Sequence, residues 1–175
     1  MIKNTALLLV ISLLFLSGCQ KDDICPESTN TTPHLVIKFL DSENPLNIKE
    51  VTNLQVKEEN SMKDYFETPV SDSLIKIPLR TTENFTNYIF TLNTPLDPDA
   101  EIGANDPLPN EDQLHFNYGT LVEYVGRACG YKTEFVAFEA NRVNEEDDTN
   151  WIKSIEVLQP NDITNEFDTH LYIYH

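Results

Sequence analysis

Residues 34–175 predict an all-β domain, an antiparallel β-sandwich of seven to eight strands. Three observations carry that expectation. Apolar residues return at every second position in short runs, the period of a strand with one face buried. No segment holds apolar residues at i, i+3, i+4 and i+7 for long enough to demand a helix. The runs are joined by links rich in Pro, Asn, Asp, Ser and Thr, which favour turns for separate physical reasons. On strand count, immunoglobulin-like topology is the first candidate and a closed barrel the alternative.

The elements follow in order along the chain. Leu35, Ile37 and Phe39 alternate with Val36 and Lys38, and Leu54 and Val56 share a face with Thr52. Ile75, Ile77 and Leu79 alternate with Lys76 and Pro78. Proline has no N–H for a ladder, so this run belongs at a sheet edge. Tyr88, Phe90 and Leu92 mark the next strand, and Leu114, Phe116 and Tyr118 give the cleanest alternation. Tyr131, Thr133, Phe135 and Ala137 are expected to face one way, with Lys132 and Glu134 the other. Ile155 and Val157 flank Glu156, and Leu171 and Ile173 close the chain. Residues 95–112 and 144–150 read as acidic loops.

The start of the chain carries a different signal. Lys3 gives a one-charge opening, and Ala6 to Leu16 is apolar apart from Ser12. That run suits a signal peptide and is too short to span a bilayer, which takes a helix of about 20 residues. Leu16-Ser17-Gly18-Cys19 then resembles the lipobox of bacterial lipoproteins, in which the cysteine sulfur receives a diacylglycerol. The expected division is a signal peptide over 1–18, a lipidated tether over 19–33 and the β-sandwich over 34–175. Gln20-Lys21-Asp22-Asp23 looks like the export tag of surface lipoproteins; otherwise these are plain solvated tether residues. The expected location is thus the outer membrane, lipid-anchored and facing outward, with the periplasmic face as the alternative. The expected partner is the lipid bilayer, reached through acyl chains on Cys19.

With Cys19 committed to lipid, Cys25 and Cys129 are left. Outside the cytoplasm two remaining thiols most simply pair, and two reduced thiols are the alternative. A bridge would close a loop of about 100 residues, for which chain entropy allows about 4.7 kcal/mol.

The 175-residue chain holds 29 acidic against 12 basic residues and carries a net charge of −17. Loss of residues 1–18 removes only Lys3 among the charged residues, so the mature chain is one unit more negative. Such a chain repels nucleic acid and any anionic bilayer, since both are bound by neutralising phosphate with Lys or Arg. Solubility is the plain reading of the charge.

No constellation of catalytic residues emerges, and no cofactor or metal is expected. Asp97-Pro98-Asp99-Ala100-Glu101 opens like a calcium-binding EF-hand loop, but Ile102 stands where glycine is required and Leu108 where a bidentate acid belongs. His34, His115, His170 and His175 show no zinc spacing. There is no Gly-x-Ser-x-Gly elbow and no phosphate-cradling glycine loop. Two carboxylates meeting from distant strands would be the route to a hydrolase. Tyr124, Trp151, Tyr172 and Tyr174 are the aromatics expected to be free for stacking on a glycan.

Cys25-Pro26-Glu27, Arg127-Ala128-Cys129-Gly130-Tyr131-Lys132, Asn150-Trp151-Ile152 and the closing His-Leu-Tyr-Ile-Tyr-His resemble an uncharacterised family of small Bacteroidota lipoproteins, a domain of unknown function. The resemblance implies the anchor and the Cys25–Cys129 pairing, and it supplies no activity or ligand. The expectation is a non-enzymatic envelope lipoprotein that supports or contacts an envelope protein, with a glycan- or calcium-binding surface module as the alternative.

Overall fold

The computed structural model describes residues 24–175 except 62, 98, 100 and 145–148. The expected signal peptide, Cys19, the Gln20–Asp23 tag and the acidic run Glu145–Asp148 therefore lie outside the described residues.

Among the described residues there are nine strands and no helix. They are β1 (Leu35–Leu40), β2 (Gln55–Glu58), β3 (Lys63–Asp64), β4 (Leu74–Ile77), β5 (Phe85–Leu92), β6 (Asn110–Gly126), β7 (Gly130–Arg142), β8 (Ser154–Val157) and β9 (Leu171–Tyr174). Two sheets form, in the orders β4-β1-β9-β8 and β3-β2-β5-β6-β7. Every pairing is antiparallel except β1 with β9. The architecture is the all-β sandwich that the alternation predicts, with its sheets left open at the edges rather than joined into a barrel. The strand not foreseen is β3, whose two residues are too short to show a period.

The core lies between the sheets. Leu35, Ile37, Phe39, Ile75, Ile77, Leu171 and Ile173 from one sheet meet Val56, Phe90, Leu114, Phe116, Phe135 and Phe138 from the other. Five phenylalanines are essentially sealed from solvent: Phe39, Phe90, Phe116, Phe135 and Phe138. Each full burial of such a side chain contributes about 1.5–3 kcal/mol from apolar area removed from water. β4 ends at Ile77 on the outer edge of its sheet, immediately before Pro78, as the missing N–H of proline requires.

Two departures from the expected pattern shape the rest of the molecule. The first is in β7. Glu139 pairs with Asn117 but Val136 pairs with Gly119, so β7 spends three steps where β6 spends two. The extra residue is absorbed at Ala137, which adopts the left-handed backbone at φ 51°. Beyond this bulge the inward face passes to Phe138, which is buried, while Ala137 points to solvent. Ala137 N–H is met instead by Asp162 Oδ1 at 2.9 Å.

The second departure is length. β6 runs from Asn110, inside the segment read as loop, to Gly126. Its pairing with β5 stops at Asn117, so the β6–β7 hairpin continues past the sandwich as a two-stranded arm over 121–126 and 130–134. The turn closes at Gly130, whose φ of +71° suits glycine.

Candidate functional site

The tip of this arm is where the described chain begins. Cys25 and Cys129 form a disulfide with Cα atoms 4.8 Å apart across a sequence separation of 104. A few residues on, Thr133 N–H donates to Thr32 Oγ1 at 2.9 Å. The segment 25–32 therefore follows the outer edge of β7, and from Thr32 back to Cys25 it heads toward the hairpin turn. Farther along the same edge, residues 161–163 take over: Phe135 and Ile163 exchange both backbone bonds, at 3.1 and 2.7 Å. An open strand edge is thus capped along much of its length.

The arm is two-faced. Val122 and Thr133 pair, and Tyr124 pairs with Tyr131; these lie on the side that continues the core face of the sheet. Thr133 is still buried, but the others have no opposing sheet above them: Val122 is 62 % exposed, Tyr124 57 % and Tyr131 71 %. The two tyrosine rings meet edge to face, with centroids 5.3 Å apart. On the reverse side Lys132 bridges Glu123 at 3.0 Å and Glu134 at 2.7 Å. Those two carboxylates hold its ammonium above the ordinary lysine range.

A second cluster fixes the point where the tether becomes β1. Glu166 Oε1 accepts from His34 N–H at 2.8 Å and lies 2.5 Å from His34 Nδ1, while Lys76 Nζ reaches Oε2 at 3.2 Å. Burial pushes the Glu166 carboxyl up, but the His34 and Lys76 donors outweigh it and hold the group down at about 2.

Other candidates are placed as structure, and several expectations are corrected. Asp112, expected in a loop, sits in β6 opposite Phe90 on the core face and is buried. Its Oδ1 accepts from Asn150 Nδ2 at 2.8 Å and its Oδ2 from Ile152 N–H at 2.6 Å. Trp151, expected to be free for a glycan, is buried, and its Nε1 donates to Phe90 O at 3.1 Å. The Asn150-Trp151-Ile152 segment is thus a plug held by a buried carboxylate, with the indole seated over Phe39. Tyr172 and Tyr174 are half-buried on β9, and Tyr174 OH donates to Glu156 at 2.7 Å. Tyr131, expected on a core face, is on the arm and exposed.

The histidines do not converge. His170 is buried; its Nδ1 accepts from Val36 N–H at 3.0 Å, and burial pushes the ring below its ordinary range. His175 packs against Phe39 and Trp151 and is likewise pushed down by burial. Among the described residues no three His, Cys, Asp or Glu side chains are grouped to hold a metal ion. Asp97 and Asp106 cap backbone N–H groups of their own loop, at 3.0 Å to Asp99 and 2.9 Å to Gly103.

The model of a family of unknown function, DUF6452, matches residues 48–175. The chain belongs to DUF6452. The matched region takes in β2 to β9, the arm and Cys129, whereas β1 and Cys25 precede it. In this DUF6452 chain, then, the disulfide joins the family's shared region to the segment upstream of it. No curated protein and no solved structure matches the chain.

Proposed function

We propose that this chain is a non-enzymatic lipoprotein of the bacterial cell envelope, cut before Cys19, acylated on that sulfur and held by its acyl chains on the outer membrane, facing outward. The observation that carries the reading is the run from Lys3 through the apolar Ala6–Leu16 into Leu16-Ser17-Gly18-Cys19. Small residues before the cysteine let the chain enter a peptidase extended, and the thiol is the nucleophile that takes the lipid. The Cys25–Cys129 disulfide supports the same reading, because such bridges persist in oxidising compartments. Stable attachment takes more than one acyl chain, at about 0.8 kcal/mol per buried methylene, and a triacylated cysteine supplies it. Gln20-Lys21-Asp22-Asp23 supports outward display. The anchored domain supports or contacts another component of the envelope.

Intact-mass analysis of the protein extracted from native membranes tests this. The expected product starts at Cys19 and carries a triacyl increment, and Cys19→Ser abolishes processing and membrane retention. A mature chain that keeps Met1, or lacks acyl mass, would overturn it.

A second reading has one observation in its favour. The exposed Tyr124–Tyr131 pair presents ring faces of the kind that stack on sugars. Saturable binding of a polysaccharide, lost in Tyr131→Ala, would favour a glycan-binding module.

A further inference from the structure

We propose that the β6–β7 arm is a second membrane contact, lying in the headgroup region of the bilayer that holds the acylated cysteine. The proposal rests on the lipid-anchor reading and adds a docking surface to it. Three independent features converge on the arm.

The first is reach. Cys25 is covalently fixed at the arm's turn and stands only six positions after Cys19. Six steps of chain span at most about 22 Å fully extended, so lipid on Cys19 keeps the arm tip within that distance of the bilayer. Thr32 on Thr133 sets the direction as well, since the tether runs back along β7 toward the turn.

The second is chemistry. Val122, Tyr124 and Tyr131 stand exposed on one face, with Leu121 on the other and Ile24 beside the bridge at 80 % exposure. Tyrosine, with an apolar ring and a polar tip, is enriched where bilayer meets water. The ladder between β6 and β7 pairs the backbone between the two strands, so the arm can enter the headgroup layer without stranding those polar groups.

The third is charge. Over residues 121–134 Glu123 and Glu134 are balanced by Arg127 and Lys132, so the arm is neutral in a chain of net −17. An anionic surface repels the body of the protein and spares the arm. Arg127, exposed in the turn, can extend its guanidinium to lipid phosphates.

The test uses the acylated protein in vesicles of phosphatidylethanolamine and phosphatidylglycerol, with or without bromine on the acyl chains as a short-range quencher. Tyr131→Trp places an indole on the arm. Leu46→Trp places one at a 98 %-exposed position in the loop that follows the opposite end of β1. Trp151 is buried and common to both, so it sets the baseline. The expected result is emission from Tyr131→Trp that is blue-shifted and falls about twofold or more in brominated vesicles, with Leu46→Trp at baseline. The combined Val122→Ser, Tyr124→Ser and Tyr131→Ser variant is expected to transfer between vesicles about tenfold faster, each tenfold corresponding to about 1.4 kcal/mol of attachment. Full acyl mass with an unquenched indole in Tyr131→Trp would overturn the arm contact alone, and so would an indole shielded by self-association or by polysaccharide without any bromine response. Missing acyl mass on Cys19 would overturn the anchor and this proposal together.

Discussion

Partial burial alone would raise the Glu166 carboxyl, yet donors from His34 and Lys76 hold it at about 2, against an ordinary value of 4.5. The group joins the entry of β1 to β4 and to the loop before β9. Because the folded value is the lower one, the stabilisation is fully present above about pH 4.5 and is lost as pH falls toward 2. Glu166→Gln is therefore expected to melt below the native protein at pH 7, with the difference closing across that window. Urea midpoints at pH 7, 4.5, 3 and 2 would check it, and a difference that persists at pH 2 would show that packing rather than charge sets it. The same side chain was invisible as a site in sequence: one glutamate among 29 acidic residues, its partners 132 and 90 positions away. Asp112 hid for a related reason. It follows a run of prolines and acids, and only pairing with Phe90 puts its carboxylate on the core face beneath the Asn150–Ile152 plug.

At the scale of elements, the period of two was legible wherever a strand keeps its register. Leu35, Ile37 and Phe39, and likewise Leu114, Phe116 and Tyr118, face the core as their spacing requires. It failed in β7 because Ala137 adds a residue and shifts every later side chain to the other face. Alanine gives no hint of a bulge, since the left-handed conformation it adopts is one for which glycine is the default. Ala137→Gly is therefore expected to stabilise the domain by about 1 kcal/mol, relieving a strained backbone with no loss of core contact at an exposed position. Denaturant midpoints would measure it, and a loss of stability would mean that the alanine methyl contributes packing that its exposure hides. The arm is hard to read in sequence for another reason. Leu121 to Gly126 and Gly130 to Thr133 do carry the mark of a hairpin, apolar and β-branched residues on either side of a glycine-bounded turn. Its length past the sandwich depends on β5 beginning only at Phe85, opposite Asn117, which no local pattern in β6 records.

For the molecule as a whole, the disulfide does what neither the core nor the charge can. The core cluster of 35–173 draws no residue from 24–33, although Pro33 is buried where that segment meets β1, and the segment is tied on through the Cys25 bridge and Thr32, with His34 following it into the Glu166 cluster. Self-repulsion in a chain of net −17 favours release of a loosely held segment. Replacing both cysteines, Cys25→Ser with Cys129→Ser, is expected to cost about 2–5 kcal/mol in global unfolding, the usual range for loss of a native bridge from a small domain. The loss should be uneven. Amide exchange is expected to rise first over 24–33 and at the arm tip, where the ladder has solvent on both faces, while β1, β5 and β9 keep their protection until global unfolding. If exchange instead rose equally in the core strands, the bridge would be bracing the sandwich itself. Confinement of the change to tether and arm would show that it couples the chain's entry point to the hairpin, which is the coupling a membrane contact at the arm requires.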